Sequence, residues 1–150
     1  MEWLFGTYPS WSHLVVRLGL GVIFVAHGAQ KLFGWFGGHG LRGTVAYFRE
    51  ALGIPAPATV VAALLEFGGG VCLLLGFLAR PAALGILIVM AVAVAKVHAP
   101  HGFFLNFALT PGRGHGYEFN LALMAMALSI LLGGAGILSV DRALVAWGVE

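Results

Sequence analysis

Phe119 to Val140 is a run of 22 residues without a single charged side chain. A helix lying on a soluble core needs a polar face, whereas a helix crossing about 30 Å of hydrocarbon needs roughly 17–25 largely apolar residues. Three further stretches have the same character. His13 to Phe33 is apolar apart from Arg17, His27, Gln30 and Lys31. Glu66 is the only charge in the 29 residues between Glu50 and Arg80, and Pro81 to His98 carries none before Lys96. The pattern predicts an all-α fold, a transmembrane four-helix bundle with spans at about 13–33, 58–78, 81–98 and 118–138. Only 9% of the residues are charged, against about 25% in a soluble domain, so the bilayer is the expected solvent. A net charge of +2 gives no basic stripe for a phosphate backbone, and nucleic acid is not an expected partner.

The connectors organise these spans. Phe77 to Arg80 is so short that the second and third helices must be antiparallel neighbours. The longer connectors, about Gly34 to Pro57 and Ala99 to Tyr117, then share one side of the membrane, side B. Both termini, Arg80 and Asp141 fall on the other, side A. Leu41, Val45, Phe48 and Leu52 recur at helical spacing beside Arg42, Arg49 and Glu50, which suggests a short interfacial helix across the bundle mouth. Trp3, Trp11 and Trp147 on side A and Trp35 on side B read as interface anchors. Lys and Arg are almost evenly divided between the sides, so charge bias sets no orientation. Met1 to Ser12 has no basic n-region, and the first span is expected to stay in the mature protein. One four-span unit accounts for the whole chain, with no internal repeat.

Ionisable groups in hydrocarbon cost several kcal/mol unless they are paired, reach the surface or face a wet cavity, so the intramembrane polar residues carry the functional reading. At about 100° and 1.5 Å per residue, Arg17, Phe24 and Lys31 fall on one face of the first helix, with His27 some 80° from Arg17. Glu66 lies on the order of 12 Å from side B on the second helix, about level with His27. Lys96 and His98 end the third helix there, and Glu118 and Asn120 begin the fourth. Cations on the first and third helices thus meet carboxylates on the second and fourth, and Lys31 can pair with Glu66 or Glu118. Plainer roles are open to several of them. Arg17 and Lys96 can snorkel to headgroups, and Glu118 suits the positive end of a helix.

The histidines near side B raise a metal question, but Pro100 interrupts the His98–His101 spacing and no metal site is predicted. Cys72 reads as packing, and a single thiol rules out an intramolecular disulfide. Gly19, Gly21 and Gly68 to Gly70 allow close helix approach. Gly37-Gly38-His39-Gly40 follows a helix rather than a strand and is no phosphate cradle.

Arg17-Leu18-Gly19-Leu20-Gly21, running on to Phe24-Val25-Ala26-His27-Gly28-Ala29-Gln30-Lys31, resembles the opening of DoxX-like membrane proteins. Glu66-Phe67-Gly68-Gly69-Gly70 with Arg80 after it, Gly116-Tyr117-Glu118 and Ser139-Val140-Asp141 are similar to that family's later landmarks. The resemblance implies a four-helix membrane protein of the DoxX/DoxD group. Some members are linked to thiosulfate:quinone oxidoreduction and others to thiol-stress or oxidoreductase assemblies. Carried over by position, Arg17, His27, Lys31, Glu66 and Glu118 are the polar landmarks, and Asp141 orders the side A end. No flavin, iron–sulfur or dithiol equipment is visible in the chain.

Two readings follow. In the first, the chain is a subunit of a quinone-linked oxidoreductase in a prokaryotic plasma membrane. His27 and Glu66 are the catalytic candidates there, as hydrogen-bond or proton partners of a quinone headgroup. Arg17, Lys31, Lys96, His98, Glu118 and Asn120 are the ligand-binding candidates, and an anionic reductant such as thiosulfate can approach Lys31 and Lys96. A redox protein partner and a homo-oligomer are the expected associations besides lipid. In the second reading the chain is a non-catalytic scaffold or assembly factor whose buried ion pairs fix helix register. Small-molecule transport is the weaker third option, because four helices leave little room for alternating access.

Overall fold

The structure, a computed structural model, describes residues 2–148, with side chains from Leu4 onward; the Trp3 anchor lies outside that set. A short α1 (Glu2–Phe5) leads into α2 (Trp11–Phe33), α3 (Gly40–Leu52), α4 (Ala56–Leu75), α5 (Ala79–Ala93), α6 (Glu118–Gly133) and α7 (Val140–Ala146). Among the described residues there is no strand. Helix α5 runs on through a π turn, Val94–His98, and a 3₁₀ turn, Ala99–His101. With these turns it is 23 residues long, and α2, α4 and extended α5 have the length and apolarity to cross a bilayer. Helix α6, at 16 residues, is a shorter apolar fourth.

Local chemistry sets these boundaries. The Ser10 hydroxyl accepts the His13 N–H at the start of α2, satisfying one of the donors a helix N-terminus leaves free. Pro55 precedes α4 and Pro57 sits in its first turn, where a missing N–H breaks no bond. Gly76 ends α4 in the left-handed region, at φ 64°. The α4–α5 connector is accordingly Gly76-Phe77-Leu78, and Arg80 already belongs to α5. The predicted helix in the first long loop is α3. Its Leu41, Val45, Phe48 and Leu52 face inward and are half-buried.

The fourth apolar helix departs from expectation. Hydropathy carries it to residue 138, but α6 stops at Gly133. Gly134 and Gly136 adopt φ 80° and 77°, a conformation open to glycine and costly for other residues, so Gly-Ala-Gly turns the chain although its apolar character persists. The Cβ of any residue at Gly134 would also meet Gly6 O at 2.7 Å.

Glycines also set how closely α2 and α4 approach. A Cβ at Gly28 would lie 2.5 Å from Phe67 Cα, and one at Gly70 would lie 2.6 Å from Val25 N. Of the glycines expected at helix contacts, Gly21, Gly69 and Gly70 serve there, whereas nothing approaches Gly68 within 4 Å. Gly28→Ala forces backbone against backbone, which no rotamer relieves. It is expected to destabilise the bundle by about 1–3 kcal/mol as an overpacking change, read as a lower melting temperature in detergent. Gly68→Ala is the neutral control.

Candidate functional site

The α2–α4 contact builds the site. Gly28 rests on the backbone of Phe67, next to Glu66, and Lys31 follows Gly28 by three residues on the same face of α2. Lys31 Nζ therefore reaches Glu66 Oε2, at 2.5 Å. Glu66 is buried, with 3% of its surface exposed, while the lysine is partly open. Among the described residues this is the one side-chain ion pair.

The pair lies in the wall of a cavity of about 690 Å³. Phe24, Met90 and Leu123 line its deep part, and α3 contributes Tyr47, Phe48 and Leu52. His27, Lys31, Glu66, Lys96, His98 and Asn120 all face it. Six of the eight candidate site residues thus meet around one hollow. Its walls are otherwise mostly aliphatic and aromatic, the usual character of a pocket for a small organic molecule, and its volume lies in the usual range of about 300–1,000 Å³.

The individual placements differ in kind. His27 lines the wall one turn before Lys31, is exposed, and has no hydrogen bond among the described residues. Lys96 is exposed, within reach of both the cavity and the side B surface. His98 donates from Nδ1 to His115 O at 2.9 Å, which leaves Nε2 as an acceptor. Buried Asn120 places its amide 3.5 Å from Met90 Sδ.

Glu118 and Arg17, both expected among the ligand-binding residues, are engaged elsewhere. Glu118 Oε1 accepts the Leu105 N–H at 2.7 Å and ties the side B loop to α6. Arg17 lies toward side A and is buried to 1% exposure. It neither snorkels nor meets a carboxylate within bonding distance. Instead it donates to five carbonyls: Leu73 and Leu74 at the end of α4, and Ala135, Ile137 and Leu138 after α6. Leu73 O also accepts the Gly76 N–H; the others are free because the helices end at these points, and backbone without a helical partner at membrane depth needs a donor from elsewhere. A guanidinium, with five N–H donors in a fixed fork, is the side chain that supplies them.

Asp141 completes the same end. Its carboxylate accepts the Leu78 and Ala79 N–H groups at 2.8 and 3.0 Å, holding Leu78 at its strained φ of 48°. Burial pushes this carboxyl above the usual carboxylate range, opposed by those two hydrogen bonds and by Arg17 and Arg80. Side A is thus a polar backbone clasp, and the open chemistry lies toward side B.

The sequence model of the DoxX family matches residues 12–99. The chain belongs to the DoxX family. It is 30% identical over 131 residues to the Escherichia coli inner membrane protein YqjF, covering 87% of this chain and 90% of that protein. It is 33% identical to an uncharacterized Mycobacterium tuberculosis membrane protein, Rv3486, over 91% of this chain and 89% of the relative. A Bacillus subtilis relative named as a candidate oxidoreductase, CatD, is 28% identical, with 85% and 83% covered. No solved structure matches the chain. The family match spans α2 to α5 and so includes Arg17, His27, Lys31 and Glu66, three of which face the cavity.

Several cavity residues carry no mark in the sequence. Tyr47, Phe48, Ile88 and Val92 line it, yet they read like any lipid-facing or core position. The π turn that ends α5 is also unannounced, although Pro100 offers a physical reason. Pro has no N–H for the carbonyl four residues back, and the Ala99 N–H instead bonds Val94 O, five residues back. Such widened turns recur at functional sites, and this one carries Lys96 and His98.

Proposed function

We propose that this DoxX-family protein is a quinone-associated redox subunit whose side B cavity binds the headgroup of a bilayer-borne quinone. The observation that carries the reading is an ion pair, Lys31–Glu66, set in the wall of a mostly apolar cavity that opens between α4 and α5. Val61, Ile88 and Val92 line the cavity and are 54%, 54% and 44% exposed, so that it is open along α4 and α5. Closer to side A the same helices are held together where Gly85 meets Leu65 and Gly69 meets Ile86. An apolar tail therefore has a path into the leaflet while a polar head stays near the ion pair.

The donors suit such a head. A quinone, when bound, supplies a two-electron, two-proton acceptor with two carbonyl oxygens that take hydrogen bonds. Lys31 and Lys96 are donors, and the free ring of His27 serves as donor or acceptor. Glu66 holds the Lys31 ammonium in place. CatD's name agrees with a redox role, and the E. coli relatives suggest a prokaryotic plasma membrane. The meeting of residues 6–10, 76–80 and 133–141 at one end supports both termini on side A. A redox protein partner and a homo-oligomer belong to this reading as associations to be sought.

The test is equilibrium binding of a short-tailed quinone to the protein in detergent. His27→Phe is expected to weaken binding by about tenfold, the loss of one hydrogen bond worth about 1.4 kcal/mol, with the melting temperature kept. Absence of saturable binding by the wild type removes the reading. The scaffold alternative draws on the direct pairing of Lys31 with Glu66; it predicts no quinone binding, with loss of partner recovery in Glu66→Gln.

A further inference from the structure

A second, smaller cavity of about 250 Å³ also has Lys31 in its wall. It shares Lys31, Tyr47 and Phe48 with the large cavity, but its remaining walls are Gln30, Gly37, Gly38, His39 and Thr44. These belong to the end of α2, the 34–40 loop and the start of α3. Where the large cavity is lined mostly by apolar spans, this one has a much larger polar share, with amide, imidazole, hydroxyl and ammonium groups beside glycine backbone and the Tyr47 and Phe48 rings.

The loop that forms it is tightly seated. A Cβ at Gly38 would collide with the Gln30 carbonyl, so only glycine allows this approach. Gln30 Nε2 donates to Phe36 O, and Thr44 Oγ1 donates to Lys31 O. His39 stands exposed at the loop's junction with α3. These polar groups and a volume several times the roughly 30 Å³ that one water takes up in the liquid make this a place for water.

We infer that the small cavity is an aqueous entrance through which water and protons from side B reach the Lys31–Glu66 pair, separate from the lipid-facing cavity. Lys31, with Tyr47 and Phe48, lines both cavities, and its ammonium is the ionisable group common to them. A proton leaving that ammonium passes to a water molecule in the entrance, and one returning comes from hydronium by the same path. The entrance is read from geometry alone, while its use in protonating a bound headgroup rests on the quinone reading above.

The test is thiol labelling in nanodiscs with a charged thiosulfonate that does not dissolve in lipid, in a Cys72→Ala background. Thr44 is buried, at 5% exposure, yet Thr44→Cys is expected to label, because its side chain lines the entrance. Adding His39→Trp at the mouth is expected to slow labelling by roughly tenfold or more, as access limits the rate. Val61→Trp, which obstructs only the lipid-facing cavity, is expected to leave the rate unchanged. Gln30→Cys repeats the measurement from α2 should the α3 substitution disturb folding. Failure of both cysteines to label under conditions that label the exposed Ser12→Cys overturns the inference, as does equal slowing by Val61→Trp and His39→Trp. Because no quinone is present, either outcome leaves the ligand reading to its own binding test.

Discussion

Lys31→Met is expected to lower the unfolding free energy by about 3–5 kcal/mol, because it leaves a buried carboxylate without its counter-charge. Glu66 is 3% exposed, and Lys31 is its one ionic partner among the described residues. Removing both charges is a different matter. In Lys31→Met/Glu66→Leu no uncompensated ion remains, and apolar replacements of a buried pair are often neutral or stabilising. Most of the lost stability is therefore expected to return in the double variant. Denaturation of the wild type, both single variants and the double variant in one detergent gives the coupling energy directly. Additive losses from Lys31→Met and Glu66→Leu would contradict the pairing.

Arg17→Met is expected to be at least as damaging, for a reason that involves no ion pair. The guanidinium is the donor to five carbonyls where α4 and α6 end, of which Leu73 O alone keeps a backbone donor, the Gly76 N–H. A buried acceptor without a partner costs about 1–3 kcal/mol, so the loss of several exceeds the stability of most single domains of this size. The variant is expected to be recovered unfolded or in very low amount. Arg17→Lys keeps the charge but offers three donors from a single point rather than a planar fork. It is expected to recover part of the expression and to melt well below the wild type. A well-folded Arg17→Met protein, measured by far-UV circular dichroism and gel filtration, would contradict the clasp.

The contrast between these two cations shows what could be read from the sequence. Both are charges on one apolar helix and lie on nearly the same face, so helical periodicity groups them. Depth separates their roles: Lys31 is next to a carboxylate across a glycine contact, while Arg17 is level with the ends of two other helices. The sequence narrowed the partner of Lys31 to Glu66 or Glu118, because opposite charges in one half of the bilayer have few other ways to be satisfied, and the glycine contact decides for Glu66. The clasp was not, since its acceptors are backbone carbonyls that become free only where Gly134 and Gly136 end α6, and hydropathy runs straight through that point. Glu118 misleads in the same way: its partner is the Leu105 N–H, a main-chain group that no sequence pattern displays.

Apolar length located the long helices apart from the early end of α6, and the Leu41, Val45, Phe48 and Leu52 spacing located α3, because burial of one face leaves a period in the sequence. Cavity walls leave none. Ile88 and Val92 would be the same residues whether they faced lipid, a ligand or another helix. Whether polar groups from separate helices enclose space or simply pack together depends on how far α4 and α5 spread beyond the Gly85–Leu65 contact, which is a property of the assembled bundle.

The central claim is that the Lys31–Glu66 pair forms part of a ligand site as well as a packing contact. Binding of a short-tailed quinone to Lys31→Met/Glu66→Leu, a variant expected to remain folded, separates the two directly. A melting temperature near that of the wild type is expected together with binding at least roughly tenfold weaker, about 1.4 kcal/mol or more. Unchanged affinity in that folded variant would show that the pair only holds the helices together.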